Sequence, residues 1–504
     1  MAPPDSRKAV FMRGGYGTVV YPVACIACLT GLAMLPSLAI AAALGERDMI
    51  LPFAASSGIA LSAGLPPAIL GRKTRPGFTP SQGLLIVCLA WVSACLLGSL
   101  PYLISRALPG VSAAVFESVS GFTTTGATLF LAPEAQPRSL LFWRAMTHWL
   151  GGLGLVVLTV ALAPLLGTGA FTLNASPIVQ AETTGPEDDK ITPRITRTAK
   201  IFLLIYAGLS LLAALFFFLG GMDWFDALTH AFSTVATGGF SSRSGSIAAF
   251  TQPGYNSQWI EWTCIVFMFF SGYNFNLIYR LIKGRFREAL NNSEGRAYIG
   301  ITLAAVFLCF ASVFPRYKTP GEGIRKSFFQ VLSILTTTGY SSAGIMDWPP
   351  LAQGVIFFAA FIGGCSSSTA GGVKIIRYVI LAKQTKNEIK KMLWPAGVFS
   401  ISLNKKEGRK DVIYGVAGFL FLYAVLVLSG SILLSGLGLD FFSSFNLSLL
   451  CAGNIGLGLI PGSMEKILLD LPWFGKWALS FIMIAGRLEL WTVFVLFSRE
   501  FRRS

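Results

Sequence analysis

The chain has 504 residues, of which 53% are hydrophobic and only 13% charged, whereas a soluble domain carries roughly a quarter charged residues. That composition excludes an ordinary water-soluble domain. The formal charge of +16 would suit a nucleic-acid partner only if the cations formed one surface stripe, but they fall in separate short segments, so no nucleic-acid partner is expected. A bilayer crossing needs about 20 apolar residues. In chain order, such stretches are predicted at 18–44, 50–70, 84–105, 139–165, 198–220, 257–282, 297–314, 351–382, 411–435 and 472–498. The first is long and lacks a persuasive cleavage site, so it is read as structure and not as a signal peptide.

With the N-terminus placed inside, 27 of the 40 Lys and Arg residues fall on the inner side, in 1–17, 71–76, 183–200, 280–296, 377–410 and 499–504. This asymmetry satisfies the positive-inside rule and predicts that both termini are cytoplasmic. Lys374 and Arg487 remain at membrane depth. Acids on the outer side, among them Glu117, Asp223, Asp226, Glu322, Asp347 and Asp440, are expected either to keep a vestibule from repelling cations or simply to solvate exposed loops. The eight cysteines, Cys25 and Cys28 among them, lie mostly inside apolar stretches and read as small buried hydrophobes.

Four segments between spans share an apolar half-helix followed by a Thr/Gly-rich turn: AAVFESVSGFTTTGATLF, DWFDALTHAFSTVATGGFSS, IRKSFFQVLSILTTTGYSSAG and FFSSFNLSLLCAGNIGLGLIPG. Taking Gly126, Gly238, Gly339 and Gly456 as their key glycines, the intervals are 112, 101 and 117 residues. Half-helices of about a dozen residues are too short to span, so each must enter the membrane and return. Non-helical backbone at that depth is tolerated only where protein buries it or water lines it. An all-α integral membrane protein is therefore predicted, with four tandem span–pore helix–span repeats around a central pore after two extra helices. The expected division is 1–76 for the N-terminal pair, then 77–182, 183–296, 297–410 and 411–504 for the repeats.

A dehydrated alkali cation needs oxygen ligands in place of its water, and backbone carbonyls from several loops can supply them. Glycine permits the backbone conformations and close approach this requires. Thr124, Thr125, Thr237, Thr337 and Thr338 add hydroxyls and β-branched stiffness beside the carbonyls. Each half-helix is expected to aim its partly negative C-terminus at the cavity.

SGFTTTGAT, STVATGGFSS, LTTTGYSSAG and GNIGLGL, together with WRAMTHWLGGLGLVVL, FFSGYNFNLIYR, GGCSSSTAGGVKIIRY and AGRLELWTVFVLF, resemble the Trk/Ktr/HKT superfamily of potassium and sodium transporters, and most closely its TrkH-type members. The resemblance covers nearly the whole chain. It implies potassium uptake across a bacterial inner membrane through a filter built from Thr124, Thr125, Gly126, Thr237, Gly238, Thr338, Gly339, Asn454, Ile455 and Gly456. It further implies a homodimer with one pore per subunit and a cytosolic, nucleotide-binding ring of the TrkA type that governs gating. Serine at the first filter position is associated with sodium preference in some plant members. All four positions are glycine here, which favours potassium over the sodium-selective or sodium-coupled alternative. Leu457 stands where many relatives carry proline.

The predicted span 351–382 is interrupted by GGCSSSTAGG. Glycine costs about 1 kcal/mol against alanine in a helix interior, so Gly363, Gly364, Gly371 and Gly372, with the serines and threonine between, predict an irregular, mobile segment able to obstruct a pore. A phosphate-loop reading fails because Lys374 is out of order and no strand precedes it. Arg487 must face inward, since an arginine facing lipid costs at least about 2.5 kcal/mol. Glu489, two residues on, is a poor partner for it by helical geometry. The resemblance implies that Lys374 and Arg487 join the Gly-rich segment in an intramembrane gate; an inter-helical salt bridge made by Arg487 is the plainer reading. The basic run Lys383 to Lys410 suits membrane lipid headgroups or docking of the cytosolic ring. His148 and His230 read as structural. No HExxH, GxSxG or aspartate dyad supports an enzyme.

Overall fold

The computed structural model of the chain describes residues 5–71, 80–154, 195–397, 399–404, 406–408, 410–456, 463–499 and 501. Among the described residues, six helices are long and apolar enough to cross a membrane: Val19–Leu44, Arg47–Gly71, Ser81–Ile104, Arg197–Leu219, Ser293–Arg316 and Val412–Gly436. The all-helical class expected from the sequence holds. The one addition among the described residues is a short antiparallel hairpin, Ile401–Leu403 with Lys406–Gly408, inside the basic run Lys383 to Lys410. Its turn carries Asn404 at φ 49°, a left-handed conformation that asparagine accepts readily.

The other four predicted spans are not continuous. Each is the helix that follows a re-entrant half-helix, and three of the four break within a residue or two of a glycine. Arg138–Leu153 stops at Gly154, which has φ 90°; the continuation predicted to 165 lies outside the described residues. Ser257–Gly272 turns through 105° into Phe275–Ile282, where the Asn274 side chain caps the new helix by accepting from the Asn276 amide at 2.8 Å. Pro350–Ala359 gives way to an irregular segment before Ile375–Leu393. Trp473–Arg487 ends where predicted helix should have continued, because Glu489 takes φ 52° before Trp491–Leu496 begins.

Close packing explains two of these glycines. A Cβ at Gly486 would lie 3.0 Å from the carbonyl carbon of Ala452. One at Gly151 would lie 2.7 Å from the carbonyl carbon of Phe122. Small residues let the half-helices approach their neighbours backbone to backbone, as helices in lipid commonly do.

The four half-helices are Gly110–Phe122, Trp224–Val235, Pro320–Leu335 and Phe441–Gly453. Three begin on side-chain caps: Asp223 accepts from the Asp226 amide at 2.7 Å, Thr319 from Glu322 at 3.3 Å and Asp440 from Ser443 at 2.9 Å. Pro320 sits at the first helical position of the third, where its missing N–H costs nothing.

Candidate functional site

Each half-helix ends on a residue in the left-handed region: Thr124 (φ 53°), Thr237 (φ 54°), Thr337 (φ 59°) and Asn454 (φ 55°). Asparagine tolerates this conformation. For the three threonines it is unfavourable by about 1–2 kcal/mol, and such strain collects at functional sites. The reversal lets the next amide fold back onto the helix end, from Thr125 to the Ser120 carbonyl at 2.9 Å, from Gly238 to Ser233 at 2.8 Å and from Ile455 to Leu450 at 2.8 Å. In the third loop the corresponding bond runs from Gly339 to Ser333 at 3.0 Å.

This pattern corrects the register of the second loop. Thr124-Thr125-Gly126, Thr337-Thr338-Gly339 and Asn454-Ile455-Gly456 each run from the left-handed residue to a glycine two positions on. From Thr237 that position is Gly239, not Gly238. Gly126, Gly239 and Gly339 all have positive φ (82°, 84° and 77°), whereas Gly238 does not. The intervals become 113, 100 and 117 residues. The sequence ATGG offers two glycines, and only the backbone shows which one matches.

Three glycines pack against the carbonyls of neighbouring loops. A Cβ on Gly126 would run into the Gly238 carbonyl oxygen and one on Gly239 into the Thr338 carbonyl oxygen, while one on Gly456 would lie 2.8 Å from the Thr125 carbonyl oxygen. The second loop thus presents a carbonyl to the first loop's glycine, the third to the second's and the first to the fourth's. Gly126, Gly239, Gly339 and Gly456 together line the floor of a vestibule of about 390 Å³. Leu457 lies outside the described residues.

Side chains brace the loops from behind. Thr123 pairs with Thr125, and Thr336 with Thr338, hydroxyl to hydroxyl at 2.8 Å in both cases. The Asn454 amide donates to the Thr125 hydroxyl at 3.1 Å and to the Met483 carbonyl at 3.0 Å. Ile455 is fully buried.

Three of the acids predicted on the outer side, Glu117, Asp223 and Asp226, are committed to ion pairs. Glu117 is fully buried and pairs with Arg144 at 3.0 Å; it also accepts from the Thr128 hydroxyl and the Leu129 amide, while Arg144 reaches the Ser241 carbonyl at 3.3 Å. Asp226 pairs with Arg243 at 2.9 Å and accepts from Ser242 at 2.6 Å. Asp223 pairs with Arg138. Glu261, from the helix after the second loop, binds both Arg325 and Lys326, and Lys326 donates to the Ser342 carbonyl at 2.8 Å. Buried charges thus pin the chain as it leaves Gly126, Gly239 and Gly339. His230 bridges the Asp226 carbonyl at 2.7 Å and the Ser241 hydroxyl at 3.0 Å.

The interrupted segment crosses the opposite side of the loops, and it is tied in place. Gly363 donates to Val373, and the Gly364 carbonyl accepts from Ile375. The Thr369 hydroxyl donates to the Val235 carbonyl at 3.0 Å and to Ser271 at 3.1 Å. The Gly371 amide donates to the Thr337 hydroxyl at 2.7 Å, and a Cβ on Gly371 would lie 2.7 Å from the Gly453 carbonyl oxygen. Thr369 and Gly371 therefore meet the ends of the second, third and fourth half-helices. Gly372 takes φ 68°. Ser366 donates its amide to the buried Glu294 carboxylate at 2.6 Å, a partner the sequence pattern did not single out.

Arg487 stands at the C-terminus of its helix. Its guanidinium donates to Thr369 at 2.9 Å, Gly151 at 2.7 Å and Gly152 at 3.1 Å, all carbonyl oxygens. It thus joins the crossing segment to the first repeat and sits on the negative end of the helix Arg138–Leu153. Glu489 turns away and pairs with Arg377, whose guanidinium lies 3.6 Å from the centre of the Phe419 ring. Lys374 is buried and donates to the Ala370 carbonyl. Lys374, Arg487, Thr369 and Gly372 line a cavity of about 90 Å³ beneath the crossing segment.

Four re-entrant half-helices, a ring of strained loops and a segment lying across it define a multi-pass membrane protein built around an ion path. A family model described as TrkH, cation transport protein, matches residues 59–320 and 316–503. The chain belongs to the TrkH family. The Trk system potassium uptake protein TrkH of Escherichia coli (strain K12) is 36% identical over 439 residues, covering 86% of this chain and 88% of that protein. TrkG of the same strain is 33% identical over 482 residues, covering 94% and 96%. The crystal structure of the potassium transporter TrkH from Vibrio parahaemolyticus superposes with a TM-score of 0.84 at 31% identity, covering 97% of this chain and 99% of that one. These relatives are membrane transport proteins, and the chain is not an enzyme.

Proposed function

We propose that the chain takes up potassium across a bacterial cytoplasmic membrane, through a filter whose ligands are carbonyl oxygens of Thr124–Gly126, Thr237–Gly239, Thr337–Gly339 and Asn454–Gly456. Support comes above all from the four loop glycines lining one vestibule, three of them packed against a carbonyl of a neighbouring loop. Four half-helices ending at one centre favour a cation there, and oxygen ligands in place of water are what a dehydrated potassium ion needs. Relatives named as potassium uptake proteins at 33–36% identity add weight.

In this reading 363–372 and Arg487 form the gate, held shut by the bonds from Arg487 to Thr369, Gly151 and Gly152, with its charge opposing a passing cation. Lys374 adds a second positive charge on the same side. The repeats divide near residues 77, 183, 297 and 411, both termini are cytoplasmic, and the transporter is a homodimer with a pore in each subunit. A cytosolic nucleotide-binding ring of the TrkA type docks on the inner basic segments, where the hairpin at 401–408 offers a surface; anionic lipid binds there as well.

Complementation of a potassium-uptake-deficient bacterium at low potassium, with and without the ring subunit, tests this. Growth restored by the chain and strengthened by the ring is expected. Growth restored only under sodium-coupled conditions would favour the sodium reading.

A further inference from the structure

The second loop lacks the internal brace of the others. Where the first and third loops carry the hydroxyl pairs Thr123–Thr125 and Thr336–Thr338, and the fourth carries the buried Ile455, the second has Ala236 and Gly238. Gly238 has no positive φ, so its backbone does not require glycine. Space does. A Cβ there would lie 2.5 Å from Cγ and Cε1 of His148, closer than any real contact allows. His148 comes from the first repeat, on the helix Arg138–Leu153, and is fully buried. Its ring is fixed on two sides: Nδ1 is hydrogen-bonded to the Ser233 hydroxyl at 3.0 Å, and the ring stacks on Phe240 at 4.1 Å with a 15° interplanar angle. Arg144, one helical turn before His148, places its guanidinium 4.1 Å from the centre of the same Phe240 ring.

We infer that His148 is a positioning residue that sets ion specificity. Its imidazole supplies to the second loop, from a different repeat, the bulk that threonine or isoleucine supplies within the others. The ring fills the space where a Gly238 side chain would stand, directly behind the residue whose carbonyl Gly126 faces. A void behind a filter carbonyl lets that carbonyl retreat or tilt, which relaxes discrimination between cations of different size. This inference rests on the filter reading proposed above.

The test is a set of reversal potentials, with potassium on one side and sodium on the other, for the purified full-length protein in lipid bilayers. His148→Ala should lower the potassium-over-sodium permeability ratio about tenfold, the scale on which pockets discriminate small size differences. Gly238→Thr alone should also lower it, because the new side chain meets the ring. The double variant His148→Ala/Gly238→Thr, which gives the second loop the residue found in the first and third, should recover selectivity to above that of either single variant. His148→Phe, which keeps ring bulk and loses the Ser233 bond, should lose less than His148→Ala, and it carries the test if His148→Ala does not accumulate. A double variant no more selective than the worse single one, or an unchanged ratio in His148→Ala, overturns the assignment. Gly126→Ser measured alongside separates the two claims. An unchanged ratio there overturns the filter reading and this inference with it, whereas a lowered ratio with His148→Ala unchanged overturns this inference alone.

Discussion

Gly126 carries two independent demands: a positive φ that side chains rarely adopt, and no room for a Cβ against the Gly238 carbonyl. Gly239 carries the same pair against Thr338. Serine at either position is expected to lower potassium-over-sodium selectivity by about tenfold, read from the bi-ionic reversal potential; a ratio unchanged at Gly239 would restore Gly238 as the matching glycine. Arg144 is a different kind of residue. Removing its charge by Arg144→Ala leaves Glu117 buried and unpaired, which costs about 3–5 kcal/mol. Thermal unfolding of the detergent-solubilised protein should show a marked loss of stability, and Arg144→Ala/Glu117→Gln should regain part of it.

Among the elements, the crossing segment and the last long helix act together. Arg487→Ala removes charge-assisted bonds to three carbonyls, each worth about 1.5–3 kcal/mol, so potassium flux into proteoliposomes should rise roughly tenfold while the protein stays folded. A fall in flux with intact folding would assign Arg487 to holding the bundle together. Much of this was legible beforehand. Repetition exposed the four loops, and the run GGCSSSTAGG exposed the interruption. Its glycines did not reveal the contacts that tie Thr369 and Gly371 to three half-helix ends. The breaks at Gly154, Gly272 and Arg487 do not show in the hydropathy pattern, because an average over a window of about 20 residues stays apolar across a few polar positions while the backbone turns. The pairing of Glu489 with Arg377, 112 positions earlier, was equally out of reach, since no local spacing brings them together.

At the scale of the whole molecule, the proposed filter has one chain do what four identical subunits would do, and that frees the loops to differ. The third loop braces itself with a threonine pair, the first adds an amide from Asn454 to its own pair, the second leans on a histidine from another repeat, and the fourth fills its place with isoleucine. Local sequence predicts the shared half-helix and turn well, because composition and periodicity encode them. It predicts poorly which repeat supports which loop, because that depends on contacts across the axis. The central claim is that this ring passes potassium in preference to sodium. Electrical recording from the purified protein in a planar bilayer, with potassium or sodium as the only cation, tests it most directly. Currents carried by potassium, with a bi-ionic reversal potential favouring potassium, are the predicted result. Currents equally large in sodium, or none in either, would contradict it.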